Sequence, residues 1–188
     1  MQGSALTGAL DALAALRIAV FADFPYLYDG DAGYERDYLR EFAAEPGSVL
    51  IAAMDGERIV GAATASPMAG QKAEFRRPFE EHGHAIARLF YFGESVLLPA
   101  FRGQGIGHAF FDRREEAARA AGASHACFCA VGRAEDDPHR PEGYRPLDDF
   151  WRGRGYEKAE GLTTVLDWKT RGSVGEIPHT MQFWIGAL

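Results

Sequence analysis

The sequence is poor in cysteine, in positive charge and in long apolar runs. Two of its 188 residues are cysteine, and 20 lysines and arginines face 27 aspartates and glutamates, a net charge of −7. Two cysteines are too few for a disulfide framework. A net negative charge argues against general binding to nucleic acid or to an anionic membrane, because both attract basic surfaces. The negative charge is compatible with a cationic substrate, although a protein can also carry net charge only to stay soluble.

No apolar stretch approaches 18 residues, and the N-terminus MQGSALTG has no basic segment followed by an apolar core. These two absences argue against a membrane span and a signal peptide, so we expect a cytoplasmic protein. The hydrophobic fraction of 47% and the charged fraction of 25% are ordinary for a globular chain. The length predicts a single domain over residues 1–188.

Cys127 and Cys129 lie two positions apart in the run ACFCAV. On a strand they share one face, too close for a normal disulfide and without further ligands for zinc. We expect small core residues, with an acyl-accepting thiol as the alternative. His82, His84 and His139 are scattered, so no metal site is expected.

The most informative stretch runs from Arg88 to Gly122. Its first part, LFYFGESVLLP, has strand character, and Pro99 ends it. After RGQGIG, apolar residues recur at helical spacing. The unit is therefore strand, glycine-rich turn and helix.

Such a turn can hold an anion. Glycines allow the backbone to approach a ligand closely, and free N–H groups at the helix N-terminus attract phosphate. A P-loop needs Lys-Ser or Lys-Thr after the glycines, but His108 follows Gly107. A dinucleotide fingerprint has a different glycine spacing and opens the chain's first βαβ unit, so RGQGIG does not match it. A glycine-rich turn that binds no ligand is the remaining alternative.

The segment VLLPAFRGQGIGH resembles the acyl-CoA pyrophosphate loop of the GNAT N-acetyltransferase superfamily, with Arg102, Gly105 and Gly107 at the signature positions. The resemblance implies an α/β (α+β) fold with a mixed, strongly bent sheet of about six to seven strands and helices on both faces. Members normally begin with a strand. Few residues precede Leu10, so that strand is expected to be vestigial, or missing from a truncated N-terminus.

The order of elements is similar to that fold. We predict helices over Leu6–Phe21, Tyr34–Ala44, 71–82 and Leu147–Arg154, and strands over Val49–Ala53, Ile59–Ser66, Leu89–Leu98, His125–Val131, Leu162–Trp168 and Glu176–Ile185. The first two strands should form a hairpin at Asp55-Gly56, and the last two a terminal hairpin. A helical crossover predicts that His125–Val131 lies parallel to the central strand.

The resemblance implies acetyl-CoA as co-substrate, lying where the central strand and the strand at 125–131 splay apart. Backbone groups of Val96, Leu97 and Leu98 would bond the pantetheine arm and polarise the acyl carbonyl. The pyrophosphate would lie on the loop formed by Arg102, Gly103, Gln104, Gly105, Ile106, Gly107 and His108.

Glu94 is the candidate general base, because a carboxylate inside an apolar strand is costly unless it is paired or functional. It also resembles the position from which many members supply a base. The alternative is a solvated glutamate or a partner of Arg88.

The family's usual acid, a tyrosine on the last helix, is replaced by Trp151, which is expected to pack on pantetheine. Tyr144 is the candidate replacement acid, with solvent as the alternative.

Tyr26, Tyr28, Asp29 and Asp31 are the candidate acceptor residues, since they suit an amine on an apolar or aromatic body. The expected reaction is acyl transfer, most simply of acetyl, to a primary amine of a small molecule or peptide. The alternative is a non-catalytic acyl-CoA sensor or scaffold. A third hypothesis is a ping-pong acyltransferase that carries the acyl group on Cys127 or Cys129. The apolar C-terminus allows a homodimer, although core packing explains those residues as well.

Overall fold

Two helices open the part of the chain that the computed structural model describes, residues 9–188. They are α1 (Leu10–Phe21) and α2 (Ala32–Ala44). In chain order there follow β1 (Val49–Asp55), β2 (Arg58–Pro67), α3 (Ala73–Glu81), β3 (Leu89–Leu97), α4 (Ile106–Ala120), β4 (His125–Val131), α5 (Asp148–Gly153), β5 (Glu157–Lys169) and β6 (Glu176–Ala187). The expectations for a strand ahead of Leu10 and for a helix starting at Leu6 fall largely on residues outside this range.

The six strands form one mixed sheet in the order β1-β2-β3-β4-β6-β5. β3 and β4 are parallel, joined by the crossover helix α4, and every other neighbouring pair is antiparallel. The predicted class, a mixed sheet of six to seven strands, is confirmed, as are the two hairpins and the parallel pair. Hydrogen bonding within the sheet thus follows the chain order except at β4, where β6 inserts between β4 and β5.

The core is divided between the two faces of the sheet. α1 and α2 pack with Leu50, Ala62 and Val96. On the other face, Phe111 of α4 packs with Phe92 of β3 and with a cluster of further aromatic residues. Phe183 and Trp184 on β6 are 0% and 1% exposed. Packing within the chain therefore accounts for these two C-terminal residues, and a homodimer stays a prediction.

β5 begins five residues earlier than predicted, at Glu157. The strand is irregular between Lys158 and Thr163, where Gly161 has a φ of +76°. The amide of Gln182 bridges the irregularity by donating to the carbonyls of Ala159 and Leu162 at 2.8 and 3.1 Å. The strand was predicted to begin only at Leu162 because a glycine such as Gly161 usually marks the end of a strand.

β3 carries a β-bulge. Phe92 pairs with Ala65 and Ser95 with Ala63, so Gly93 and Glu94 together oppose Thr64. The Thr64 hydroxyl accepts a hydrogen bond from the Glu94 N–H at 3.1 Å. A bulge bends its strand and increases its twist.

The parallel pairing of β3 with β4 is short. It covers Leu89–His125, Phe90–Ala126 and Tyr91–Cys127 and then stops, although β3 continues to Leu97 and β4 to Val131. The predicted splay begins directly after the last pair and next to the bulge. Among the described residues, no helix is both long and apolar enough to cross a membrane.

Gly93→Ala is expected to destabilise the protein by about 1 to 3 kcal/mol, because a Cβ at this position would lie 2.4 Å from Thr64 Oγ1 inside the bulge. Urea unfolding measures the change. Gly132→Ala is the control, since a Cβ there meets no atom within 4 Å. Adding Thr64→Ala should recover part of the loss, and a double variant that is simply additive would contradict the clash.

Candidate active site

The gap between β3 and β4 leaves part of the β3 backbone without a strand partner. The Leu98 N–H donates to Val60 of β2 at 3.0 Å. N–H groups on a strand alternate sides, so Val96, paired with Ala62, also directs its N–H to β2. The N–H groups of Ser95 and Leu97 point into the gap instead. The N–H groups of Val96 and Leu98 are therefore engaged with β2, which the sequence alone does not show, and the roles of Val96, Leu97 and Leu98 toward pantetheine stay predictions.

The glycine loop follows at the end of β3. Gly103 and Gly105 have φ angles of +74° and +82°, and Gly105 caps α4. The first bond of the helix runs from the Ala109 N–H to the Gly105 carbonyl at 3.1 Å. The amides ahead of Ala109 are those that a helix N-terminus leaves without intrahelical acceptors. The predicted anion-binding turn thus has the backbone that it requires.

Two side chains close this loop. Arg102 Nε donates to the Leu97 carbonyl at 3.2 Å, and Gln104 Nε2 donates to the Ala100 carbonyl at 3.1 Å. Both residues are exposed. The His108 ring stacks edge-on against Phe150 of α5, with centroids 4.9 Å apart. The cation and the loop amides therefore lie on the surface next to the open gap.

Glu94 lies on the bulge and points to the face that α1 and α2 cover. Its Oε1 forms an ion pair with Arg17 Nη1, and its Oε2 accepts a hydrogen bond from Tyr38 Oη at 3.1 Å. Arg17 Nε also bonds Glu35 on α2. The Glu94 side chain is 9% exposed. Its partner is Arg17 and not Arg88, the alternative that the sequence offered.

Burial alone would raise the pKa of Glu94, and it is opposed by the Arg17 guanidinium and by hydrogen bonds, including the one from Thr64. The net result lowers the pKa of Glu94. This carboxylate is therefore ionised throughout the neutral range. A lowered pKa makes it a weaker base than an isolated buried glutamate.

Asp29 and Asp31 are engaged in holding the fold. Asp31 is the N-cap of α2 and accepts from the Tyr34 N–H at 2.8 Å. Asp29 forms an ion pair with Lys169 at 2.6 Å. Both carboxylates thus make contacts within the fold, and their role in acceptor binding stays a prediction. Two further carboxylates, Glu94 and Glu35, lie on the face that α1 and α2 cover. Of these two, the sequence analysis missed Glu35.

Tyr26 and Tyr28 both lie near this acidic pair. The Tyr26 ring packs 4.7 Å from Phe21 and 5.9 Å from Trp168. Burial, and for Tyr28 also the Glu35 carboxylate, raises the pKa of both phenols well above the ordinary range. They are neutral hydroxyls at any physiological pH. Their role in acceptor binding stays a prediction.

Tyr144 is half-buried, with its ring 4.7 Å from Phe24 and the Arg140 guanidinium 5.1 Å from its centroid. Burial raises the pKa of Tyr144, partly offset by Arg140. Trp151 packs against Phe128 and Trp184, at 5.1 and 5.0 Å between centroids. Both roles, as acid and as pantetheine contact, stay predictions.

The two cysteines behave as core groups. Cys127 is buried, and Cys129 Sγ lies 3.2 Å from the Tyr91 hydroxyl. Burial raises the pKa of both thiols, that of Cys129 to about 12. Since the thiolate is the nucleophile, neither cysteine is suited to accept an acyl group at neutral pH. Across residues 9–188, no group of three or more His, Cys, Asp or Glu side chains could hold a metal ion.

Comparison with known proteins bears directly on this arrangement. The sequence model of the Acetyltransferase (GNAT) family matches residues 14–140, well over half of the chain and including β3, the glycine loop and β4. The chain belongs to the GNAT acetyltransferase family. It is accordingly an acyltransferase, and the resemblance noted in the sequence is confirmed. No curated protein matches the chain.

Solved structures similar to this acetyltransferase share its fold at low identity. A ribosomal-protein-alanine N-acetyltransferase from Brucella melitensis is 17% identical with a TM-score of 0.63, over 96% of this chain and 95% of that one. An aminoglycoside 6'-N-acetyltransferase from Enterococcus faecium is 13% identical with a TM-score of 0.58, over 98% and 93%. The protein yncA from Salmonella typhimurium, solved with its cofactor acetyl-CoA, is 11% identical with a TM-score of 0.59, over 96% and 89%.

Replacing Glu94 should cost this acetyltransferase stability in a pH-dependent way. Because the folded state lowers the pKa of Glu94, its contribution is complete above the ordinary value of 4.5 and is lost as pH falls through the folded value. Glu94→Gln is expected to cost about 3 kcal/mol at pH 7, the low end for a broken buried pair, because Arg17 keeps Glu35.

Urea unfolding from pH 7 down to pH 3 measures this cost. The difference between wild type and Glu94→Gln should be constant above pH 5 and shrink below 4.5. Glu57→Gln, at an exposed position in the β1–β2 turn, is the control. A Glu94→Gln difference that grew as the pH fell would contradict a lowered pKa of Glu94 in the folded state.

Proposed function

We propose that this acetyltransferase moves an acetyl group from acetyl-CoA to a primary amine of a small molecule or peptide by direct attack. The observation that carries the proposal is the gap between β3 and β4, with the glycine loop at one end and Glu94 beside it. The gap offers unpaired backbone N–H groups, the loop offers an anion site, and Glu94 offers the negative charge that an amine requires. A structural neighbour solved with acetyl-CoA and others named as N-acetyltransferases support the same reaction.

The donor half consists of backbone. The pyrophosphate would lie on the amides at the start of α4, where the helix dipole and the Arg102 guanidinium both favour negative charge. The thioester would lie in the gap, with its carbonyl oxygen toward the N–H groups of Ser95 and Leu97. These donors are held by the strand, so they stabilise the developing oxyanion with little reorganisation.

The acceptor half lies on the face that α1 and α2 cover. Glu94 and Glu35 carry two negative charges against the one positive charge of Arg17. The remaining negative charge attracts an ammonium group, and the aromatic ring of Tyr26 suits an apolar body next to it. Polar groups in an apolar surrounding are typical of a small-molecule site.

Acetyl transfer forms one bond and breaks another. The neutral amine nitrogen attacks the thioester carbon, the carbon–nitrogen bond forms, and the carbon–sulfur bond of the tetrahedral intermediate then breaks. The amine proton passes to Glu94 directly or through a water, because an alkyl ammonium has a pKa of about 10.4 and cannot attack. The departing thiolate takes a proton from Tyr144 or from solvent, since an indole at position 151 is a poor acid.

Thiol release from acetyl-CoA with a broad panel of primary amines tests the proposal. Wild type should release thiol with at least one amine, and Glu94→Gln should lower kcat by about 100-fold while acetyl-CoA still binds. Full turnover by Glu94→Gln at neutral pH would remove Glu94 from the role of base. Binding of acetyl-CoA without release across the panel would favour the sensor, and absence of binding would remove the proposed function.

Gly105→Ala should weaken acetyl-CoA binding by about tenfold, because the left-handed backbone costs a residue with a Cβ about 1 to 2 kcal/mol and the loop amides turn away as it relaxes. Calorimetric titration measures the affinity. Gly122→Ala, at the opposite end of α4, is a matched control: its φ is +78° and, like Gly105, it has nothing within 4 Å of an added Cβ. Equal losses in the two variants would argue against a phosphate site at Gly105.

A further inference from the structure

Arg17 joins three elements of the fold through one buried guanidinium. From α1 it forms ion pairs with Glu35 of α2 through Nε and with Glu94 of β3 through Nη1. The three side chains are 11%, 1% and 9% exposed. Because all three are nearly removed from water, losing one partner leaves an uncompensated buried charge.

The surroundings leave the guanidinium little freedom. Its central carbon lies 4.3 Å from the Tyr38 ring centroid and 5.2 Å from that of Phe21. Tyr38 also donates its hydroxyl hydrogen to the second oxygen of Glu94. Both carboxylate oxygens of Glu94 are thus held, one by Arg17 and one by Tyr38. A planar fork that bonds two carboxylates in fixed directions is a property of arginine that lysine lacks.

We propose that Arg17 is a positioning residue for acetyl transfer: by bridging Glu35 and Glu94 it fixes the Glu94 carboxylate on the acceptor side of the gap. The inference rests on the proposed function and goes beyond it by assigning a role to a residue outside the glycine loop and the gap. Arg17 contacts neither acetyl-CoA nor the amine in this scheme, and it acts through Glu94.

The charges around Glu94 decide what the bridge does. α1 contributes Arg17, and α2 contributes Glu35 and Tyr38. The loop after α1 contributes Tyr26, and α4 on the other face contributes Arg114 at longer range. β2 contributes the uncharged hydroxyl of Thr64. Arg17 is the one cation among these that contacts Glu94, and Glu35 competes with Glu94 for it.

The competition predicts opposite effects for two variants. In Arg17→Met, Glu94 stays buried next to Glu35 with no cation in contact, so its pKa should rise by at least about one unit. In Glu35→Gln, a neighbouring negative charge disappears and Arg17 is left with Glu94 alone, so the pKa of Glu94 should fall. A general disturbance of packing would not move the same carboxylate in opposite directions.

The experiment is a titration of the free protein with ¹³C-labelled glutamate carboxyl groups, in which Glu94→Gln assigns the Glu94 signal. The low-pH limb of kcat/KM is followed in parallel with an amine from the panel. Arg17→Met should move both to higher pH and Glu35→Gln should move both to lower pH. Shifts of the same direction in both variants, or no shift in a folded Arg17→Met, overturn the proposal.

Arg17→Lys separates charge from geometry. A lysine can pair with one carboxylate at a time, so the pKa of Glu94 should stay below that in Arg17→Met while kcat falls at least tenfold with little change in KM for acetyl-CoA. Wild-type kcat in Arg17→Lys overturns a positioning role for the guanidinium. If Arg17→Met does not fold, Arg17→Lys and Glu35→Gln still decide the matter.

The carboxyl titration tests the bridge formed by Arg17, and thiol release from acetyl-CoA tests acetyl transfer. The carboxyl titration needs no substrate, so it reports on the bridge even where no amine is turned over. Opposite shifts in the titration with no thiol release from wild type would overturn the proposed function and with it the role of Arg17 in acetyl transfer. Thiol release without the opposite shifts would overturn the role of Arg17 alone.

Discussion

Two parallel strands hold together only while their backbones stay side by side, and β3 and β4 part after three residue pairs. The bulge at Gly93 and Glu94 bends β3 where this happens, between its paired and unpaired halves. An unpaired strand edge inside a sheet leaves N–H groups in need of partners. The remaining features of the site follow from that opening, because it turns part of the sheet into a surface for a ligand.

The bulge has a second effect, since Glu94 lies on it and directs its carboxylate to the face that α1 and α2 cover. Glu94 is held at its backbone by Thr64 and at its carboxylate by Arg17 and Tyr38. The opening and the acidic group therefore share one structural cause. Under the proposed function, the backbone N–H groups and glycines serve the donor, the aromatic rings and the net negative charge serve the acceptor, and the two substrates would meet from opposite faces of the sheet.

Local sequence signals predicted most of the fold. Helical spacing in α1 and α2, the Asp55-Gly56 hairpin and the strand, turn and helix unit around Gly105 are each properties of short segments, and the structure contains them with shifts of a few residues. The start of β5 was missed because Gly161 reads as the end of a strand and the Gln182 amide that bridges it comes from another strand.

The candidate site was predicted less completely. Arg17 lies between Leu13 and Val20 on the buried side of α1, and Glu35 lies one turn before Leu39 on the buried side of α2. A charged residue at an apolar helical position is a signal that could have found each of them. Nothing in the sequence pairs them, because the partners are 18 and 77 positions apart from Arg17.

By itself the sequence determined the glycine-rich turn, the order of elements and the family, since these depend on glycines, spacing and periodicity within neighbouring residues. The tertiary structure decided which N–H groups face the gap, which aspartates are occupied by helix capping or by Lys169, and which cation holds Glu94. Those outcomes depend on contacts between distant segments, and a contact of that kind exists only once the chain has folded.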